Sequence, residues 1–218
     1  MDTYPLAVVD DFFNDPNKIR NYGLSLDFHR DPKNNWPGLR TRFLSEINHN
    51  FYSKVNNKII SLYMEDIEDR PYSYSASMQF QLIPAGENYN GWIHADSPAV
   101  MTAIIYLTPS AGFDNGTSLF KLKDTCIGYN QDWNNNKDFS KDKDTIEEDR
   151  LKNNDQFIET ARVGGFYNRL ITFDSGEFHS ANDISMDNKE DRLTLIVFFH
   201  FIEGIKVNPV TRVKRIKL

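Results

Sequence analysis

The sequence predicts a β-sandwich or barrel with helices packed outside it, and three observations carry that reading. Before Ser73 the apolar residues recur at helical steps of three and four. From Ser73 onward they recur at period two or in short runs punctuated by Gly, Pro, Asn and Asp. The chain has 218 residues, a length at which all-β folds still form one domain. One domain over 1–218 is therefore expected. Residues 1–72 give it a helical N-terminal support, and 73–218 give a β core with a polar insertion at 124–160.

The elements follow in chain order. Asp15-Pro16 predicts a helix start, with a carboxylate at the cap and a proline at the first helical position, where its missing N–H costs nothing. Ile19, Tyr22 and Leu26 continue it. A second helix is predicted over 45–67 from the stripe Ile47, Phe51, Val55, Ile59, Leu62 and Tyr63. Between them Arg30 to Arg42, with Pro32, Pro37 and Gly38, reads as a loop. Strands are predicted at Ser75–Ile83, Ala99–Thr108, Thr117–Leu122, Arg169–Phe173 and Arg192–Phe201. Asp, Asn, Lys and Glu dominate 124–160, with Trp133, Phe139 and Phe157 among them and a short helix near Ile146 to Leu151. This stretch reads as a flap over the open end of the β domain. The basic tail Arg212 to Leu218 reads as solvated surface.

Composition excludes several classes of function. Hydrophobic residues make up 39% of the chain and aromatics 13%, enough for a real core and against general disorder. No apolar run approaches the about 18 residues of a membrane span, so no membrane partner is expected. The first residues, Met1-Asp2-Thr3-Tyr4-Pro5, lack the basic and apolar regions of a signal peptide. The single cysteine, Cys126, excludes a disulfide framework and a cysteine-based zinc site, and a cytoplasmic location is expected. A net charge of −6 argues against wholesale nucleic-acid binding.

The five histidines are the candidates for chemistry: His29, His49, His94, His179 and His200. A His-x-Asp pair on a strand puts both side chains on one face. It can then give two ligands to one metal, and a distant His completes a facial triad of the kind that suits Fe(II). The pair alone decides little, because 21 of 218 residues are Asp and two such pairs occur. His29-Arg30-Asp31 lies in the linker between helices and reads as surface. His94-Ala95-Asp96 lies between a Gly/Asn-rich turn and a strong strand. His49 flanks the helical stripe. His200 fails as third ligand if Arg192 shares the site, because the two would sit about 26 Å apart along one strand. His179, after the strand Arg169–Phe173 and a tight turn, is the best candidate.

Arg192 opens a strongly apolar strand and needs a partner there. A dicarboxylate cosubstrate would provide one, with Thr194 on the same strand face adding a hydroxyl.

These residues together resemble the Fe(II)/2-oxoglutarate-dependent oxygenase superfamily, most closely its prolyl 4-hydroxylase-like branch. The resemblance covers Ser75 to Phe201 and, more loosely, Tyr4–Phe28. It rests on Gly86-Glu87-Asn88-Tyr89 before His94-Ala95-Asp96, then Thr102-Ala103-Ile104-Ile105-Tyr106-Leu107. Gly116-Thr117-Ser118-Leu119-Phe120 follows, and then Leu170-Ile171-Thr172-Phe173 leading to His179. Three features depart from the branch. Arg192 stands where it usually has Lys, the 124–160 insertion is extra, and the second Gly before Thr117 is missing.

The resemblance implies a double-stranded β-helix, a jelly-roll barrel of the cupin-like kind. It implies that His94, Asp96 and His179 bind Fe(II). 2-Oxoglutarate would chelate that iron with its far carboxylate on Arg192, and Thr194, Tyr106 or Tyr89 would add hydrogen bonds. It also implies O₂ as oxidant, ascorbate as an accessory reductant, and hydroxylation of a peptidyl (prolyl-like) or small amino-acid-like substrate. Two other readings compete. One is a cupin-like metalloenzyme without 2-oxoglutarate, which leaves Arg192 and Thr194 without a job. The other is a non-catalytic jelly-roll binding module.

Overall fold

The computed structural model describes residues 4–32, 36–63, 72–87, 91–123, 142–184 and 190–204. In chain order the elements are β1 (Ala7–Val9), α1 (Pro16–Leu24), β2 (Phe28–His29), β3 (Leu39–Thr41), α2 (Leu44–Ile47) and α3 (His49–Ile60). They continue with β4 (Ser73–Ile83), β5 (Met101–Tyr106), a 3-10 turn at Phe113–Asn115, β6 (Thr117–Leu122), α4 (Lys143–Asn154), β7 (Phe157–Val163), β8 (Leu170–Asp174), β9 (Phe178–Ala181) and β10 (Arg192–Glu203). Seven strands form one antiparallel sheet in the order β1-β8-β5-β10-β4-β3-β2, and three form a second in the order β7-β6-β9. This is the mainly β, jelly-roll-like architecture the sequence predicts, with helices outside. The described strands do not close into a barrel.

The period of two along β10 divides the molecule. Leu193, Leu195, Val197 and Phe199 point to one face and pack with Met78 and Phe80 of β4 and Met101, Ala103 and Ile105 of β5. Helices α2 and α3 cover that face with Leu44, Tyr52, Val55, Ile59 and Ile60. The alternate residues Arg192, Thr194, Ile196 and Phe198 point the other way and line a cavity. A smaller apolar cluster of Tyr106, Ile171 and Phe173, with Leu119 and Val163 packed on it, lies between the two sheets. One strand thus builds the hydrophobic support with one face and the site with the other.

Local chemistry explains most boundaries. Asp15 caps α1 by accepting from the Lys18 N–H at 3.0 Å, with Pro16 at the first helical position as expected. The single helix predicted over 45–67 is instead two. Asn48 leaves helical geometry (φ −151°, ψ 79°), and its side chain accepts from the Phe51 N–H at 3.0 Å, starting α3. The predicted loop from Arg30 to Arg42 contains β3, and β2 ends at His29, just ahead of it. These strands are too short to show a period, and Gly38 admits them. Gly38 sits at φ +69°, and a Cβ there would meet the Leu82 carbonyl at 2.3 Å.

Residues 142–160, expected as flap, are ordered: α4 is followed by β7, which pairs with β6 and buries Phe157. Trp133, Phe139 and the basic tail lie outside the described residues. Among the described residues no helix is long and apolar enough to cross a membrane.

Candidate metal centre

His94 and His179 meet through their backbones before their side chains are considered. The His94 N–H donates to the His179 carbonyl at 3.0 Å, and the His179 N–H donates back to the His94 carbonyl at 2.8 Å. This two-way bridge adds the His94 segment to the outer edge of β9. Asp96 is anchored in turn, its N–H donating to the Ser175 carbonyl at 2.8 Å in the turn between β8 and β9. The two imidazole rings lie 4.6 Å apart between centroids. His94 Nε2 is 3.4 Å from Asp96 Oδ1, and His179 Nε2 is 3.1 Å from Asp96 Oδ2. One potential ligand atom from each residue lies within 4.8 Å of the others.

The ring orientations suit a cation. His94 Nδ1 is 2.7 Å from the Trp92 carbonyl, and His179 Nδ1 is 2.9 Å from the Glu177 carbonyl. A carbonyl only accepts, so both Nδ1 atoms carry protons; both Nε2 atoms face Asp96, where each donates to the carboxylate when protonated and offers its lone pair to a cation when deprotonated. Burial pushes the Asp96 carboxyl up, but the neighbouring His179 and His94 outweigh that and hold it well below the usual carboxylate range. Two imidazole nitrogens and one ionised carboxylate on one side of an open cavity are the donor set that suits a divalent first-row metal with free positions.

A hydroxyl relay orients the carboxylate. Thr102 Oγ1 donates to Asp96 Oδ2 at 2.8 Å, and Ser175 Oγ lies 2.8 Å from the same Thr102 oxygen. Since Thr102 has one proton and gives it to Asp96, Ser175 donates to Thr102. The sequence marked Thr102 only as part of a strand and did not single out Ser175. The signal for Thr102 was the period of two, which puts it on the cavity face of β5; Ser175, in the turn after β8, had none.

Arg192 and Thr194 line the same cavity, of about 280 Å³. Arg192 is 5% exposed, and burial pulls its pKa below the ordinary guanidinium value, offset in part by Tyr106 and Asp183. Among the described residues its one hydrogen bond is long, from Nη2 to the Asn115 carbonyl at 3.4 Å. Thr194 Oγ1 is buried with no hydrogen-bond partner among the described residues. A guanidinium and a hydroxyl one strand repeat apart, both buried and underused, fit a carboxylate between them.

Tyr106 is elsewhere. It is 1% exposed beneath Arg192, whose guanidinium carbon lies 5.8 Å from its ring, and its hydroxyl pairs with Thr117 Oγ1 at 2.8 Å. It packs under Arg192 and is not among the side chains that line the cavity, whereas its hydrogen-bond partner Thr117 is. Tyr89 lies outside the described residues. The other histidines are away from the site: His200 pairs with Ser77 Oγ at 2.9 Å, His49 lies 3.3 Å from Ser53 Oγ, and His29 is exposed on β2.

Sequence reasoning missed Arg40, which also lines the cavity. It also missed the support given by α4. The Ile93 N–H donates to Asn154 Oδ1 at 3.0 Å, Asn153 Nδ2 donates to the Ile93 carbonyl at 3.0 Å, and Asn154 Nδ2 donates to the Gly91 carbonyl at 2.8 Å. The end of α4 therefore holds the segment that delivers His94. No sequence pattern announces such contacts between distant amides and a backbone.

The comparisons agree on the fold. HygX from Streptomyces hygroscopicus, crystallised with nickel, 2-oxoglutarate and hygromycin B, superposes with a TM-score of 0.55 at 13% identity, over 90% of this chain and 83% of that one. The non-heme alpha ketoglutarate dependent epimerase SnoN from nogalamycin biosynthesis gives 0.53 at 11% identity, over 90% and 78%. A prolyl hydroxylase from Trichoplax adhaerens, in complex with a hypoxia inducible factor peptide fragment, gives 0.50 at 10% identity, over 97% and 87%. At these identities the likeness is one of fold. No curated protein matches the sequence. A family model described as "Family of unknown function (DUF6445)" matches residues 1–199.

Proposed function

We propose that this chain, which belongs to the DUF6445 family, is an Fe(II)- and 2-oxoglutarate-dependent dioxygenase. It would act as a hydroxylase on a peptidyl (prolyl-like) or small amino-acid-like substrate. The observation that carries the reading is the joint presence, in one cavity, of the His94–Asp96–His179 donor set and of buried Arg192 with unsatisfied Thr194. A metalloenzyme of the cupin kind without a cosubstrate, or a binding module, leaves that arginine and hydroxyl buried with nothing to hold, which is costly.

His94 and His179 would hold the iron through Nε2, and Asp96 through a carboxylate oxygen kept ionised and aimed by Thr102. Arg192 would take the far carboxylate of 2-oxoglutarate in a two-pronged contact, with Thr194 donating to the same group. The bound metal and cosubstrate would supply the redox chemistry: O₂ is reduced, 2-oxoglutarate loses CO₂ to give succinate, and a substrate C–H becomes C–OH. Ile104, Ile196 and Phe198 line the cavity and keep it poor in water. Ascorbate would serve only to restore the reduced metal.

The test is incubation of the iron-loaded protein with 2-oxoglutarate, O₂ and either a peptide panel or a cell extract. Succinate formation coupled to a product heavier by one oxygen atom is expected. A protein that forms no succinate under any of these conditions would exclude the reading.

A further inference from the structure

Arg40 is a second guanidinium in the same cavity, and the metal site does not use it. It sits on β3 opposite Gln81 of β4, and Gln81 is opposite Thr194 of β10, so the three form one row across the inner face of the sheet. Arg40 thus lies two strands to the side of the proposed cosubstrate contact. Its guanidinium carbon is 4.4 Å from the centre of the Trp36 ring and 5.8 Å from that of Phe198. Among the described residues it makes no salt bridge, and its buried Nε has no hydrogen-bond partner. Burial pulls its pKa down to about 10, with Asp96 and Asp31 acting the other way. It therefore remains charged at neutral pH. Gln81, which could have turned toward it, is held by the Pro37 carbonyl at 2.9 Å.

With a divalent metal, Asp96 ionised, doubly charged 2-oxoglutarate and Arg192, the charges in the cavity cancel. Arg40 is then one positive charge left over beside apolar and aromatic walls. Such a charge, stacked on a ring and with an unused Nε–H, suits a carboxylate.

We propose that Arg40, stacked on Trp36, recognises a carboxylate on the substrate, so that the enzyme acts on an acid with an apolar body. The inference rests on the oxygenase reading, which assigns the other end of the cavity to 2-oxoglutarate. The carboxylate belongs either to a free small acid or to an aspartyl side chain of a peptide, and the same chemistry would read both.

The test uses the full chain loaded with Ni(II) and saturating 2-oxoglutarate, so that Arg192 is occupied. Monocarboxylates from acetate to 4-phenylbutanoate are titrated against their primary amides, following tryptophan fluorescence. A second arm compares acetyl-aspartyl-amide with acetyl-asparaginyl-amide and tells a peptide source from a small acid. At least one acid should bind about tenfold or more tightly than its amide, and Arg40→Gln should erase that preference while leaving 2-oxoglutarate affinity unchanged. If Arg40→Gln melts below the assay temperature, Arg40→Lys replaces it. It keeps the charge but loses the fork, so it should weaken acid binding and spare amide binding. Equal binding of every acid and its amide, or an acid preference untouched by either substitution, overturns the proposal. Failure of the oxygenase reading shows separately, as no uptake of 2-oxoglutarate by the Ni(II)-loaded protein. The acid–amide comparison, repeated in Arg192→Ala protein without metal or 2-oxoglutarate, stands apart from that result.

Discussion

His94 and His179 hold each other in place through two backbone hydrogen bonds, of 3.0 and 2.8 Å, so the two imidazoles share one sheet edge. The proposed metal site is thereby tied to main-chain pairing rather than to side-chain packing alone. His94 is the more exposed of the two. His179 is 5% exposed and lies with its ring 4.6 Å from that of Phe173.

Substitution of either histidine should therefore separate function from stability. His94→Ala should abolish Fe(II)-dependent decarboxylation of 2-oxoglutarate with little change in thermal midpoint. His179→Ala should abolish it too and also lower stability by about 1–3 kcal/mol, because it opens a gap against Phe173. Turnover assays paired with thermal unfolding check both. Retained decarboxylation in either variant would remove that histidine from the metal.

Thr102 tests the hydroxyl relay. Thr102→Val keeps the branched shape of β5 but removes the donor to Asp96 Oδ2. Outer hydrogen bonds of this kind are worth about 10- to 100-fold in metal affinity. Metal titration of Thr102→Val should show a loss of that order, and Ser175→Ala a smaller one, since Ser175 acts only through Thr102.

The α4 clamp on the His94 segment predicts an effect far from the ligands in sequence. Asn154→Ala leaves the Ile93 N–H without its partner and the Gly91 carbonyl with only the long 3.5 Å contact from Arg150 Nη1, and should cost about 1–3 kcal/mol. Metal affinity should fall with it. Deleting residues 130–155 should likewise weaken metal binding, whereas a flap concerned only with substrate would leave it intact. Calorimetric titration with Ni(II) distinguishes the two.

Gly91 offers a sharper probe of the same segment. A Cβ there would lie 2.0 Å from the Ala181 carbonyl and 2.6 Å from Ser180 Oγ. Gly91→Ala must push the segment that carries His94 away from β9, breaking the backbone pair. Loss of metal binding with the apolar core still folded is the expected outcome, read by metal titration and near-ultraviolet circular dichroism.

The parts legible in the sequence were those with a strong period or a local cap. Asp15-Pro16 announced α1, and the alternation from Arg192 onward announced β10 and the side of it that faces the site. The short strands β1, β2, β3 and β9 were not legible, because two to four residues cannot display a period. The strand β7 was hidden in a polar context, since only Phe157 of its seven residues is buried. The split between α2 and α3 came from one side-chain cap at Asn48 that overrode a continuous apolar stripe. The convergence of His94, Asp96 and His179 was legible from spacing and strand context. Arg40 and Ser175 were not, because their role arises only when β3 and the β8–β9 turn fold against the cavity.

Arg192 bears most directly on the identity of the cosubstrate. Removing a buried, charge-assisted two-pronged contact costs about 2–5 kcal/mol, a loss of tens- to thousands-fold in affinity. The decisive measurement is an anaerobic titration of the protein with Fe(II) and 2-oxoglutarate, followed by visible absorption, in wild type, His179→Ala and Arg192→Ala. The account predicts a weak metal-to-cosubstrate charge-transfer band in wild type. It predicts no band in His179→Ala, and in Arg192→Ala a band that appears only at much higher 2-oxoglutarate. A wild-type protein that gives no band at any concentration, or an Arg192→Ala variant with unchanged 2-oxoglutarate dependence, would contradict it.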